Sequence, residues 1–258
     1  MNDGADLSLS VVVVSHNYGG YLDEALTSVI RQGRPPDEIV LIDDASSDNT
    51  PAVAERWAKN VPSLSSMRNE SRLGPARTFN RGFASSSGKL LVKLDGDDRF
   101  ADGYLSALES ALVTRDADIA YSGLRLFGAE SREIPVKAFD RRELHRENFI
   151  NGSAMMRRSV WERTGGFRDE LDGLGLEDWE LFVHAISLGM HATPVEDCWL
   201  EYRRHAHGSR NSISRLDALR AHWFVRCAHR DEVGIKDVGA WMARSVRRNL
   251  TGASMRHA

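Results

Sequence analysis

The run Leu90-Leu91-Val92-Lys93-Leu94 ends abruptly in three carboxylates, Asp95, Asp97 and Asp98, with Gly96 between the first two. Like charges this close repel and raise one another's pKa, so the arrangement is costly unless a cation sits among them. A divalent metal bridging to a polyphosphate is a natural reason to collect them, since hard cations take carboxylate oxygens and complete their shell with phosphate. The same residues also make a good turn. Asp and Gly tolerate left-handed backbone, and a later acid can cap a helix expected to begin near Asp102. Polar groups stand in comparable places after two other apolar runs. Ser15-His16-Asn17 follows Leu9 to Val14, and Asp43-Asp44 with Ser46 follows Ile39 to Ile42.

These groups can cooperate only if the elements that carry them are neighbours. Leu9-Ser10-Val11-Val12-Val13-Val14 is β-branched without alternation, the pattern of a central strand buried on both faces. Leu22, Ala25, Leu26, Val29 and Ile30 recur at helical spacing before Gly33 and Pro35-Pro36 stop the helix. After Asp48-Asn49, Thr50 can cap and Pro51 can take the first position of a helix carrying Val53, Ala54 and Trp57. A weaker strand at Leu64 to Met67, a helix from Pro75 to Ser87 and the strand Leu90 to Leu94 follow. This alternation predicts an α/β fold, a mostly parallel central sheet with helices on both faces. Such sheets bind ligands beyond the carboxyl ends of their strands, where all three polar groups would line one rim. Neither Gly-x-Gly-x-x-Gly nor a Gly-x-x-x-x-Gly-Lys-Ser/Thr loop follows the first strand. A dinucleotide redox cofactor and a P-loop are therefore not indicated, and a nucleotide held by carboxylates and a metal remains.

Composition bounds the rest. The 258 residues, 28% charged and 41% hydrophobic, read as a soluble globular protein. One main domain over residues 1–214 is expected, a nucleotide-binding half to about residue 100 and an acceptor half beyond it, with 215–258 as a helical extension. A formal net charge of -3 gives no global basic field, so nucleic acid is not an expected partner. Cys198 and Cys227 match neither a zinc site nor a disulfide framework, which favours a reducing cytoplasm. No apolar run approaches the roughly 18 residues of a membrane span, and Met1 to Asp6 is polar, unlike a signal peptide. In the tail, Leu216, Leu219, Trp223, Phe224 and Val225 suggest one helix and Val238, Trp241, Met242 and Val246 another, with Arg244, Arg247 and Arg248 on its polar side. The tail could pack on the main domain, form a homodimer, or rest peripherally on the inner face of an anionic membrane.

Val11 to Ser15 with Asn17, then Glu38 to Thr50, resemble the opening of family 2 glycosyltransferases of the GT-A fold. The resemblance continues in register through Asn69 and Leu73 to Gly82, the Asp-x-Asp stretch Leu94 to Asp98, Asn151-Gly152-Ser153 with Gly165-Gly166-Phe167, and Glu177-Asp178-Trp179-Glu180-Leu181. Tyr202-Arg203-Arg204-His205 is similar to the family's Tyr-Arg-x-His stretch. Together these cover roughly residues 9 to 210.

The resemblance implies an inverting, metal-dependent transferase that moves a sugar from a nucleotide-diphosphate sugar, UDP favoured, to a hydroxyl of an acceptor. Ser15, Asn17, Asp43, Asp44, Arg77 and Asp95 would bind the nucleotide; Asp97, Asp98 and His205 would hold Mn2+ or Mg2+. Asp178 would be the general base, with Glu177, Asn151, Gly152 and Trp179 on the acceptor side. Acids in the first turn of a helix also complement its dipole, the plainer reading of Glu177 and Asp178. Gly208 and Ser209 suggest a lid over bound nucleotide. The Gln-x-x-Arg-Trp motif of processive synthases is missing, which points to single additions. A sugar-nucleotide nucleotidyltransferase is the enzymatic alternative, but His16-Asn17-Tyr18-Gly19-Gly20 lacks its cations; a degenerate binding domain is the non-enzymatic one.

Overall fold

Val11-Val12-Val13-Val14 lies in strand β1 (Leu9–Ser15), every residue of which is buried. Cover on both faces comes from helices that alternate with strands: α1 (Leu22–Ile30), β2 (Glu38–Asp43), α2 (Thr50–Asn60), β3 (Leu64–Arg68), α3 (Pro75–Ser85) and β4 (Leu90–Asp95). Pro51 and Pro75 stand in the first turns of α2 and α3, where a backbone N–H has no intrahelical partner to lose. The computed structural model describes residues 7–172, 174–206 and 215–229.

The second half contributes β5 (Arg99–Phe100), α4 (Tyr104–Thr114), β6 (Ile119–Gly128), β7 (Arg132–Ile134), α5 (Arg141–Leu144), β8 (Met155–Arg157) and α6 (Arg158–Thr164). A 3-10 turn at Asp169–Leu171 precedes α7 (Glu177–Ser187), β9 (Ala192–Arg204) and α8 (Arg215–Ala228). The helix expected near Asp102 begins instead at Tyr104, because Gly103, at φ 77°, turns the chain into it.

One sheet runs through both halves in the order β3-β2-β1-β4-β8-β6-β9-β5, with β7 on β6. The pairs β3–β2, β2–β1 and β1–β4 are parallel. Beyond them β8 is antiparallel to β4 and β6, β9 is parallel to β6, and β5 is antiparallel to β9. The fold is therefore mixed α/β, parallel in the first half and mixed in the second. From β1 the chain winds outward through β2 and β3 and then returns to place β4 on the other side. This reversal brings Val14 opposite Asp95 and Ser15 opposite Asp43, at a switch point where open α/β sheets take their ligands.

Two cores flank the sheet, one under α1, α2 and α4 and the other under α3, α6 and α7. Gly82 lets α3 lie directly on β1, since a Cβ there would run into Val12 Cγ1. Helix α8 packs on α7: Ala221 and Val225 are buried, Arg226 Nη2 donates to the Arg146 carbonyl at 2.7 Å, and His229 Nε2 lies 2.9 Å from Glu180 Oε1. For this helix, packing on the main domain is the reading that holds. Residues 230–258, with the second expected helix and its arginines, lie outside the described residues, as do His207, Gly208, Ser209 and Arg210.

Candidate active site

The ends of β1 and β2 are cross-linked by short side chains. Asn17 sits at φ 58°, which lets its Oδ1 accept from the Ser47 N–H at 2.7 Å and the Asp48 N–H at 3.2 Å while its own N–H donates to Ser46 Oγ at 2.8 Å. Asp43 Oδ1 accepts from the Ser46 N–H at 2.9 Å, and Arg68 Nε lies 3.3 Å from Asp43 Oδ2. Asp44, 3% exposed, organises the following loop: Oδ1 accepts from Asn69 Nδ2 at 2.7 Å and the Leu73 N–H at 2.8 Å, and Oδ2 from the Gly74 N–H at 3.0 Å. A carboxylate oxygen has two lone pairs, so Oδ2 keeps acceptor capacity toward a ligand. Asp44, His16, Asn17, Arg72 and Asp95 line a cleft of about 610 Å³ above these strand ends. Ser15 Oγ, beneath it, is buried and without a hydrogen-bond partner among the described residues.

Arg77 does not join them. It points from α3 to Asp169 and Asp172, at 3.1 and 3.6 Å, because the 3-10 turn brings those acids against the start of α3, where Asp172 Oδ1 also accepts from the Ala76 N–H. The cation on the cleft is Arg72, which carried no motif in the sequence.

The three acids after β4 take different places. Asp95 stays on the cleft with a side chain 43% exposed. Asp97 turns inward, with His205 Nε2 2.8 Å from its Oδ2. The imidazole stacks on Tyr18 at 6.0 Å between centroids and meets Tyr21 edge-on at 5.3 Å. Asp98 Oδ1 instead accepts the Arg203 N–H at 2.8 Å, so this carboxylate anchors the end of β9 rather than facing His205. Burial, then the charge of Asp95, raises the Asp97 carboxyl; burial, then Asp97 and Asp95, raises Asp98 well above the carboxylate range. A cation would relieve this crowding.

No cluster of three or more His, Cys, Asp or Glu among the described residues could by itself hold a metal ion. Asp97 Oδ2 and His205 Nε2 offer two donors at one point, which suits an ion that draws its remaining ligands from a diphosphate and water. The residues fit a substrate-bridging metal and not a self-sufficient structural one.

Next to the cleft lies a second acidic group. Glu177 and Asp178 open α7, Glu177 buried and Asp178 half-buried, and Lys93 Nζ stands 3.9 Å from Glu177 Oε1 and 3.9 Å from Asp95 Oδ2. The chain Asp95–Lys93–Glu177 makes this group continuous with the cleft. Burial pushes the Glu177 carboxyl up to about 7 against the opposing pull of Lys93, and burial likewise raises Asp178. Asp178 Oδ1 accepts from the Trp179 N–H at 2.8 Å and from Asn148 Nδ2 at 3.3 Å. Its Oδ2 faces Gly152, where a Cβ would lie 3.1 Å away. Asn151 shapes that turn, donating to the Ser122 carbonyl at 2.9 Å and accepting from the Ser153 N–H at 3.1 Å. Trp179, expected on the acceptor side, is fully buried in the core and donates its indole N–H to the Leu144 carbonyl at 2.6 Å. A side chain following Asp178 on a helix points about 100° away from it, here into the core.

Residues 10–168, well over half of the chain, match the family described as Glycosyl transferase family 2. The chain belongs to this family. Residues 134–210 also match a family described as N-terminal domain of galactosyltransferase. The fold of this glycosyltransferase is similar to that of S. aureus TarS in complex with UDP-GlcNAc, with a TM-score of 0.75 at 18% identity over 96% of this chain and 76% of that one. It is also similar to the mannosyltransferase PcManGT of Pyrobaculum calidifontis in complex with GDP-Man and Mn2+, with a TM-score of 0.64 at 20% identity over 96% and 76%. In sequence, an uncharacterized glycosyltransferase, alr2836, of Nostoc sp. strain PCC 7120 is 31% identical over 110 residues, 43% of this chain and 34% of that relative. The chain thus spans about a third of that relative's length.

Three residues around the cleft and the acids of α7 had no role assigned from the sequence: Arg72, Asn148 and Lys93. Arg72 stands in none of the motifs, Asn148 lies in a stretch without a readable pattern, and Lys93 is a charge inside an otherwise aliphatic strand.

Proposed function

We propose that this glycosyltransferase moves one sugar at a time from a nucleotide-diphosphate sugar, with UDP the favoured nucleotide, to an acceptor hydroxyl with inversion and with Mn2+ or Mg2+. The observation that carries the reading is the continuity of the cleft at the β1 and β4 ends with the acids that open α7, through Asp95, Lys93 and Glu177. Asp44 Oδ2 accepts from a ring N–H of the base, a role uracil or guanine can meet. Arg72 supplies positive charge on the cleft for the phosphates. Asp97 and His205 would hold the metal, which when bound offsets charge on the departing diphosphate.

Asp178 takes the acceptor hydroxyl's proton on Oδ2 as that oxygen attacks the anomeric carbon. Oδ1 is already occupied by Trp179 and Asn148, which fixes the orientation of the carboxylate. A carboxyl raised by burial is a stronger base than a solvated one, closer to the ideal for proton abstraction near neutral pH. Direct displacement needs one base and no protein nucleophile, and Asp178 Oδ2 is the carboxylate oxygen placed against Gly152. The names of the similar proteins support the donor class, since UDP-GlcNAc and GDP-Man appear in two of the solved complexes.

Thermal unfolding with UDP, GDP, dTDP and CDP, each with and without Mn2+, tests the donor side in the wild type and in Asp97→Asn. Ligand at about 100 times its Kd adds about 2.7 kcal/mol, a shift of several degrees. The expected result is a metal-requiring shift for one nucleotide that Asp97→Asn abolishes. No shift with any nucleotide would overturn the reading.

A further inference from the structure

Leu90, Val92 and Leu94 of β4 join one core and Leu91 the other, so the pleat sets Lys93 on the Leu91 side, toward α3 and α7. There the ammonium lies 4.6 Å from the centroid of Phe79 and 5.9 Å from that of Phe167. A charge in such a place is costly unless paired, and the residues before and after it on the strand are aliphatic. Pairing comes from Asp95 and Glu177, each at 3.9 Å, with Asp178 and Asp98 adding attraction. The turn carrying Gly152 rests directly on this ammonium: a Cβ there would meet Lys93 Cε at 2.6 Å and Nζ at 2.9 Å.

Two adjacent acids, one buried and one half-buried, repel when both are charged. Burial raises Glu177 and Asp178, and Lys93 is the largest influence opposing it in both. For stability alone an apolar pair at these positions would serve as well or better, because replacing a buried ion pair by well-packed neutral groups is often neutral or stabilising. What a neutral pair would not do is hold negative charge beside Gly152.

We propose that Lys93 is a positioning residue for the transfer: its ammonium ties the end of β4 to the first turn of α7 and is the fixed counter-charge that keeps the Asp178 carboxylate open toward the acceptor. The inference rests on the assignment of Asp178 as the base. The charged and polar groups facing that acid are Lys93 and Asp95 from β4, Glu177 from α7 and Asn148 from the loop between α5 and β8.

The test compares wild type, Lys93→Met, Glu177→Gln and the neutral double variant in three ways: urea unfolding, the thermal shift given by UDP with Mn2+, and the pH–rate profile of UDP-GlcNAc or GDP-mannose hydrolysis. The double variant guards against the case in which Lys93→Met alone fails to fold. Expected is a double variant that folds with a urea midpoint near that of the wild type and keeps the UDP shift. Relative to Glu177→Gln it should hydrolyse donor on the order of 100-fold more slowly, the usual worth of a general base. The acidic limb of its profile should also move to higher pH. An unchanged rate and an unchanged limb would reduce Lys93 to a structural ion pair and overturn the proposal. Loss of the UDP shift would also overturn it, by making Lys93 part of the donor site. If the wild type itself gives neither shift nor turnover, the transferase reading is at fault. Additive urea effects of the two single variants would, in that case too, overturn the counter-charge.

Discussion

Glu177 is a carboxyl held at about 7 by burial, above an ordinary value of 4.5. The folded state therefore binds its proton more tightly than the unfolded chain does. Stability from this group is fully present below pH 4.5 and is lost as pH rises toward about 7, with a slope of at most about 1.4 kcal/mol per unit. Glu177→Gln should lack that limb, so its urea-derived stability should gain on the wild type between pH 5 and 8. Parallel curves would refute the prediction. Gly152→Ala forces a methyl against Lys93 and Asp178 and should cost about 1–3 kcal/mol as an overpacking change. The same methyl stands where the acceptor oxygen would approach, so turnover should fall further than stability accounts for; an active Gly152→Ala enzyme would argue that the acceptor enters elsewhere. His205→Ala should weaken the Mn2+ requirement of UDP binding without removing nucleotide affinity altogether, which titration of UDP at several Mn2+ concentrations would show.

Helix α3 illustrates how local propensity and packing compete within an element. Gly82 lies in its interior, where alanine would be better by roughly 1 kcal/mol on intrinsic propensity. A Cβ there collides with Val12 on β1, and overpacking of about 1–3 kcal/mol outweighs that gain. Gly82→Ala should therefore lower the thermal midpoint, and a raised midpoint would mean that α3 can move off the sheet at little cost. Strand β9 is the element whose extent sequence periodicity understates. The apolar signal covers Cys198 to Tyr202, yet the strand runs Ala192–Arg204, because Pro194 and the pair Glu196-Asp197 break the alternation while the pairing with β6 continues around an irregularity at Tyr121 and Gly123. Its length matters for the site, since it delivers Arg203 to Asp98 and His205 to Asp97.

At the scale of the molecule, α8 packs its buried Ala221 and Val225 on the main domain. Removing residues 215–258 would strip His229 from the fully buried Glu180, leaving Arg168 at 3.4 Å as its ion-pair partner. It would also uncover Trp179, next to Asp178, on which His222 of α8 packs. The truncated chain should lose several kcal/mol in urea unfolding, since removing a hydrogen-bond partner from a buried acceptor costs about 1–3 kcal/mol and the lost packing on α7 adds to it. A truncated chain as stable as the full one would make α8 dispensable. Among the described residues no helix is long and apolar enough to cross a membrane. What the amino-acid order determined by itself is local: a both-sides-buried β1, alternating helices and strands, acids after β4, and a set of ordered motifs sufficient to indicate the family. These follow from period, propensity and turn chemistry, all written within a few residues. Tertiary structure alone decided that Arg72 and not Arg77 faces the cleft, that Trp179 goes to the core, that Asp97 rather than Asp98 meets His205, and that Lys93 lies between the two acidic groups. Those outcomes depend on strand order, the phase of the pleat and the length of β9, which bring together groups tens to over a hundred residues apart, a separation that no local pattern encodes.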